Sequence, residues 1–336
     1  MFQFCLGIFK DNVDLIGIDF ILKTFNETIE KMKPVHHIKI KGKMSVNELA
    51  KEMHSTGVFG AGRLGKAIAI TEAMVKDKDC KIFLGLAGPL VPAGMRDIII
   101  DMIEQKWVDV VVTTGATLTH DLGEALGYRH YQGSADADDA ELHKQGFDRI
   151  YESYMPNSIY EGMEDFIAKN FDSLKVHKSI KGFLWELGRL TPNKSICKAC
   201  YENKVPLFCP ALSDSGIGLM VWGQLAKGKD AETRAFEDLK EIIDIAWTAK
   251  KAGVIYFGGG VPKNYIQQAM QLAPKMAAYG VQVTMDRPEP GGSSGAELKE
   301  GISWGKLNPK AKFVDLICDA TIAMPIMYAA LKERIK

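Results

Sequence analysis

Two hydrophobic rhythms alternate along the chain. From about residue 80, short apolar runs rich in β-branched residues end in glycine or small polar residues, and stretches with helical spacing lie between them. The runs "KIFLGLAG" (81–88), "WVDVVVTTGA" (107–116), "VPLFCPAL" (205–212), "GVIYFGGG" (253–260), "VQVTMD" (281–286) and "KFVDLICD" (312–319) read as strands. Helical patterns cover 90–106, 157–174, 178–189, 195–203, 234–251, 261–276 and 320–334. Residues 20–55 read as a helix, a short basic connector and a second helix, and the acidic stretch within 131–150 ("SADADDAEL") reads as a surface excursion. Strands alternating with helices imply parallel βαβ units. The expected fold class is α/β: a doubly wound, mostly parallel, Rossmann-like sheet with helices on both faces. An N-terminal helical segment (1–55) precedes one main domain (56–336).

Composition narrows the class. The chain has 336 residues, of which 46% are hydrophobic and 25% charged, so it is long enough for a sizeable core and is not of the disordered type. Lys+Arg and Asp+Glu both number 42, which gives no electrostatic footprint for nucleic acid or a membrane surface. The cysteines (5, 80, 197, 200, 209, 318) are scattered, as in a reducing compartment rather than a disulfide framework. The apolar start carries acids at 11, 14 and 19 and lacks a basic opening, so it does not read as a signal peptide. No apolar run of about 18 residues is present, and the expected setting is cytoplasmic.

In open parallel sheets, ligands bind at the carboxyl ends of the strands. Five of these ends are small or polar here: "GLAGP", "TTGAT", "ALSDSG", "FGGG" and "CDAT". Together they favour a nucleotide-sized ligand. Two other motifs are set aside. "GAGRLG" (60–65) matches the dinucleotide fingerprint by letter, but a helical pattern precedes it and no acid closes the next strand, so it reads as a loop before a helix. "CKAC" (197–200) has no second pair and no nearby histidine, and it reads as a core face; no metal is expected.

"GISWGKL" (301–307) is the unusual string. Lys306 follows a tryptophan and a glycine, with Glu300 six residues upstream. Apolar neighbours favour a neutral lysine, and such lysines form imines. Trp304 would be an apolar wall and Glu300 an orienting or proton-moving carboxylate. A structural lysine in a salt bridge satisfies the same residue types.

The longer string "GGSSGAELKEGISWGKL" (291–307), with "FGGGVPK", "VDVVVTTGA", "PALSDSGIG" and "CDATIAMP", resembles the deoxyhypusine synthase family from about residue 55 to 334. The resemblance implies an NAD-binding domain in a homotetramer with sites shared between subunits. It also implies an NAD-dependent aminobutyl transfer. Spermidine is oxidised beside its secondary amine, diaminopropane leaves, and the aminobutyl imine (a Schiff base) passes to an enzyme lysine. It then moves to an acceptor amine and is reduced. Lys306 matches that carrier lysine, Trp304 its water-excluding wall, and Glu300 and Ser294 the same string. Asp214, Asp319 and Ala320 match cofactor contacts, as do Thr114, Gly115 and Ala116 after the second strand. Gly258, Gly259 and Gly260 match the glycine turn, with Met285 and Asp286 after the next strand. Gly88, Leu90 and Val91 fall in "GPLVP", where eukaryotic members carry a Ser-Asn loop; Pro89 stands for the asparagine, which leaves backbone contacts only.

The polyamine side departs from the pattern. Thr119 and His120 replace two consecutive acids, Leu219 an aspartate, Asn264 a histidine proposed as proton acceptor, and Ser293 an aspartate. Fewer carboxylates would hold a polycation less tightly or hold a different one. Without a base at Asn264, His120 is the nearest proton acceptor; a solvent-capped histidine at a helix start is the alternative. Asp121 reads as an N-terminal helix charge. "GGVPKN" and "DRPEPGGSSGA" look more like the bacterial branch, which lacks the hypusine pathway. The favoured acceptor is therefore putrescine, giving homospermidine. The alternatives are a lysine of translation initiation factor 5A, and an NAD-binding regulatory subunit without transfer.

Overall fold

The computed structural model describes residues 15–335. Cys5 and most of the apolar start lie outside the described residues. The chain opens with α1 (Leu15–Lys31), then α2 (Val46–Thr56) and α3 (Phe59–Lys76). The Ser45-x-x-Glu48 capping box starts α2, and Gly57 in the left-handed region (φ 70°) ends it. The sequence from 58 onward thus continues as helix. "GAGRLG" lies within the first turns of α3, not in a loop before it. The reason is packing: a Cβ at Gly62 would sit 2.8 Å from the Gly57 backbone, and one at Gly65 would sit 2.4 Å from His54. These glycines let α2 and α3 approach closely.

The main sheet follows as β1 (Cys80–Leu86), β2 (Val110–Val112), β6 (Leu207–Phe208), β7 (Lys251–Phe257), β8 (Ala277–Thr284) and β9 (Leu307–Ile317). Its order is β6-β2-β1-β7-β8-β9, and every pairing is parallel. The helices α4 (Arg96–Glu104), α5 (Gly115–Ala125), α7 (Ser158–Leu174), α8 (Ile180–Leu190), α9 (Ile196–Asn203), α10 (Gly216–Ala226), α11 (Ala235–Thr248), α12 (Gly260–Leu272) and α14 (Ala320–Arg334) connect and cover it. The α/β, mostly parallel architecture expected from the alternation is the one found.

Central strands are buried on both faces, as parallel strands between helices must be. Leu84, Leu86, Ile255, Phe257, Val281 and Val283 face one core with α3, α4, α7, α8, α9 and α14. Phe83, Val110, Val112, Val254 and Tyr256 alternate to the other, against Ile242 and Ala246 of α11 and Ile266, Ala269 and Met270 of α12. Each such side chain stabilises the fold by roughly 1.5–3 kcal/mol on burial. Among the described residues no helix is long and apolar enough to cross a membrane.

Several boundaries differ from expectation. The 107–116 run supplies a strand of only three residues, because Trp107 packs into the core beforehand and Thr114 already caps α5. The 205–212 run pairs over two residues only. The 131–150 excursion is ordered: β3 (Tyr131–Gln132), β4 (Phe147–Ile150) and β5 (Ser153–Pro156) make an antiparallel sheet, with α6 (Asp139–Lys144) between β3 and β4. Its short, half-exposed strands carry no clear period-2 pattern. Cys197 and Cys200 are buried on α9, a core face as read.

Candidate active site

The strand order reverses between β1 and β7, so their carboxyl ends form the crevice where such sheets bind ligands. Gly258 and Gly259 leave β7 at φ 65° and 78°. A Cβ on either would come within 3.0–3.2 Å of Ala87, the residue after β1. Only glycine turns this corner without strain. Beside it, Gly88 opens a 3-10 turn (Gly88–Leu90) and packs against Thr114 and Ala116. Thr114 caps α5, and Thr117 donates from its hydroxyl to the Ala87 carbonyl at 3.0 Å. Gly115 approaches Ser215, the N-cap of α10, and Asp214 lies exposed just before that cap. Asp319 caps α14, accepting from the Thr321 N–H at 2.8 Å and its hydroxyl at 2.9 Å, with Ala320 next. Leu90 and Val91 are buried; Met285 and Asp286 are exposed beyond β8. Helix N-termini at a glycine-lined crevice suit the diphosphate of a dinucleotide.

A cleft of about 550 Å³ adjoins this crevice. Pro89, Asp319 and Thr321 form one wall, and His130, Tyr131 and Tyr151 of the small antiparallel sheet and its approach form the other. A larger cleft of about 610 Å³, among Lys78, Lys106 and Lys204, lies at the opposite, amino end of the strands and holds no predicted residue.

His120 does not start a helix. It sits on the second turn of α5, half-buried, with Nδ1 3.0 Å from His130 Nε2. Burial, and then the neighbouring His130, lower its pKa to about 4. Its partner His130, and Glu124 bonded to His130, are not evident in the sequence, because the two histidines are ten residues apart across the end of α5 and the turn after it. Asp121 also differs from expectation. It is 1% exposed, accepts from Arg96 Nε and from the Ile196 N–H, both at 2.8 Å, and so ties α5 to α4 and α9 rather than serving as a solvated helix charge. Thr119 is buried, and its hydroxyl accepts from the Ile217 N–H at 3.3 Å, which links α5 to α10. Leu219 is exposed on α10, in a stripe with Trp222 and Leu225.

The Lys306 turn is built on the α12 face of the sheet. Ser293 and Ser294 lie over Gly260, and half-buried Asn264 is one turn along α12. The loop is pinned at the Ala296 carbonyl, which accepts from Lys263 Nζ and from Gln282 Nε2. The Leu298 N–H donates to Asp315 at 2.9 Å. A four-residue helix, α13 (Glu300–Ser303), then leads to Gly305 at φ 71°, and the Lys306 N–H donates to the Gly301 carbonyl at 2.8 Å. Lys306 Nζ lies 4.8 Å from the centre of the Trp304 ring, a cation–π distance. The expected water-excluding wall is not closed within one chain. Trp304 is 56% exposed and Lys306 half-exposed.

The buried lysine of this region is Lys263, 2% exposed. Burial, aided by the positive charge of Lys306 and opposed by Asp315 and Glu300, lowers its pKa to about 8. Lys263 closes the string "FGGGVPK" and is the fourth residue of α12; the string alone does not mark it as buried.

The sequence model for deoxyhypusine synthase matches residues 48–331. The chain is 45% identical to probable deoxyhypusine synthase 1 of Methanosarcina acetivorans over 90% of this chain and 95% of that one. It is 41% identical to probable deoxyhypusine synthase 1 of Archaeoglobus fulgidus, over 87% and 95%. The chain belongs to the deoxyhypusine synthase family. Like the family, it is an NAD-dependent aminobutyltransferase. The crystal structure of a deoxyhypusine synthase from Entamoeba histolytica shares the fold, with a TM-score of 0.57 at 19% identity over 87% of this chain and 96% of that one. The Gly258–Gly259 corner against Ala87 and the capped helix starts of α5, α10 and α14 fit the family's NAD.

Proposed function

We propose that this deoxyhypusine synthase-family chain moves an aminobutyl group from spermidine, by way of Lys306, to a lysine of translation initiation factor 5A. The observation that carries the reading is the "SWGK" turn, in which Trp304 lies under the Lys306 amine at 4.8 Å. The names of the archaeal relatives favour factor 5A over putrescine, the acceptor favoured by the sequence strings alone. The openness of Trp304 and Lys306 also suits a macromolecular acceptor.

NAD, when bound, would supply the hydride acceptor for amine oxidation and the hydride for the closing reduction. Gly88, Thr114, Gly115, Ala116, Asp214, Gly258, Gly259, Gly260, Asp319 and Ala320 would hold it, with backbone at Leu90 and Val91 and the exposed Met285 and Asp286 at the rim. His120 takes the proton that the secondary ammonium of spermidine must lose before oxidation. Lys306 attacks the resulting imine, expels diaminopropane and becomes the covalent carrier. Trp304 orients its amine, and Glu300 assists proton movement. Asn264, Ser293, Ser294 and Leu219 would line the polyamine side and supply no carboxylate, which would make affinity for a polycation modest; Thr119, expected there, is instead buried and bonded to the Ile217 N–H.

The exposed α10 stripe of Leu219, Trp222 and Leu225 supports a homotetramer with sites shared between subunits. The division into an N-terminal helical segment (1–55) and a catalytic domain (56–336) is part of this proposal, since every assigned residue falls in the second part. A cytoplasmic setting agrees with the free, buried cysteines of the described core.

The test is acceptor competition. Purified protein is given NAD and spermidine with factor 5A, with putrescine, or with both, and products are read by mass spectrometry. Deoxyhypusine on factor 5A is expected. Homospermidine alone would assign putrescine instead, and no diaminopropane in any mixture would overturn the donor.

A further inference from the structure

Three side chains near the crevice form one hydrogen-bonded chain whose polarity can be worked out. Glu124 sits on the last turn of α5, and its two oxygens are both engaged. Oε2 accepts from Arg129 Nη1 at 3.0 Å, while Oε1 accepts from the His130 backbone N–H at 3.1 Å and faces His130 Nδ1 at 2.9 Å. Burial would raise the pKa of this carboxylate, but the hydrogen bonds from His130 and Arg129 outweigh it and hold the value at about 2. An ionised carboxylate only accepts, so the His130 Nδ1 carries the hydrogen. In a neutral ring His130 Nε2 is then the acceptor, and the atom 3.0 Å away, His120 Nδ1, must donate to it. The rings meet edge-on, with centroids 4.9 Å apart and planes at 66°. That leaves one nitrogen in the chain with a free lone pair, His120 Nε2.

We propose that Glu124 and His130 are positioning residues for His120. They fix its ring so that Nε2 is the basic atom, and they move the proton it takes up onto His130, against the Glu124 carboxylate. The inference rests on the reading of His120 as the base. The balance is simple. One proton enters at His120 Nε2, the Nδ1 hydrogen passes across the 3.0 Å contact to His130 Nε2, and His120 is again neutral. His130 becomes an imidazolium bonded to an anion, which is a favourable place for the charge. A half-buried histidine alone would resist protonation; the chain gives its proton somewhere better to reside.

The other charges around the pair do not compete for this role. Asp121, on the same helix, is already held by Arg96. Arg129 is engaged by Glu124. Asp319 and Glu152 line the cleft beside His130, where their negative charge favours the same imidazolium. Tyr160, packed near Thr119 from α7, has its hydroxyl pKa raised by burial and stays neutral.

The test reads the protons directly and then the reaction. Nitrogen-15 NMR of the full chain, labelled at histidine, should show His120 protonated at Nδ1 with a free Nε2. On acidification the first imidazolium should appear at His130. Finding the Nε2–H form of His120, or the first imidazolium at His120, would overturn the proposal whether or not the protein turns over. Glu124→Gln, which offers His130 a donor as well as an acceptor, should scramble the tautomer. It should also slow NADH formation from spermidine by about 10²-fold with KM little changed, and Glu124→Asp should restore much of the rate. A Glu124→Gln protein with an unchanged rate and pH profile would also overturn it. If wild-type protein forms no NADH from spermidine but shows the expected tautomers, the functional reading fails and the hydrogen-bonded chain stands.

Discussion

The crevice between β1 and β7 and the Lys306 turn are built by opposite means. The crevice is framed by buried backbone: β1 and β7 end in a glycine corner against Ala87, beside the capped starts of α5 and α14. The Lys306 turn is anchored from beneath by Lys263 and Gln282, yet its working side chains face outward. A cofactor that stays through both redox steps needs the first kind of site. A carrier amine that must meet a separate acceptor needs the second. The contrast is between a corner fixed by buried backbone and a lysine turn whose side chains stay open.

The sharpest way to break the comparison is at the carrier. Lys306→Ala should abolish transfer while leaving some spermidine cleavage, seen as diaminopropane and NADH. Full transfer by that variant would remove Lys306 from the mechanism. Next comes the anchor beneath it. Lys263→Met leaves the Ala296 carbonyl with Gln282 alone, and a loss of about 1–3 kcal/mol is expected in denaturant unfolding. An unchanged midpoint would mean that the buried lysine does not hold the loop. On the crevice side, Gly259→Ala forces a side chain into φ 78° and against Ala87, at a cost of roughly 1–2 kcal/mol, and should weaken NAD binding with it. Unaltered NAD affinity by calorimetry would separate that corner from the cofactor.

Smaller effects sharpen the account. His120 resists protonation in the folded state, so its stabilising contribution is whole above pH 6.5 and is lost as pH falls toward about 4. Glu124, held at about 2, loses its contribution between pH 4.5 and 2, in the same direction. Melting temperature should therefore decline from pH 6.5 downward, and His120→Asn should flatten the upper part of that decline. A wild-type curve flat to pH 4 would contradict it. Trp304→Ala should change stability by no more than about 0.5 kcal/mol, because the ring is largely exposed. It should increase release of free aminobutyraldehyde or its cyclised form, and the absence of any increase would rule out shielding by Trp304.

What was legible in the sequence follows the same division. Long, strongly patterned elements such as Ser158–Leu174 and Ala320–Arg334 match their patterns to within a residue, because their apolar spacing is set by one large core. The six strands were located, but β2 and β6 shrank to three and two residues, since apolar residues also pack in the turns that follow parallel strands. The small sheet of residues 131–156 was hidden because neither face is fully buried. The glycine corner and the "SWGK" turn were readable as strings. His130, Glu124 and the structural tie of Asp121 were not, because their meaning depends on which partner the fold brings within 3 Å. "GAGRLG" shows the reverse error: its Gly62 and Gly65 serve the close packing of α2 on α3, which no local motif reports.

The central claim is that Lys306 carries the aminobutyl group. The most direct test incubates the protein with NAD and spermidine without acceptor, traps any imine with borohydride, and maps the digested chain by mass spectrometry. One aminobutyl group on the peptide bearing Lys306, absent when NAD is left out, is the predicted result. An unmodified Lys306 peptide alongside free diaminopropane, or the group on another lysine such as Lys263, would contradict the account.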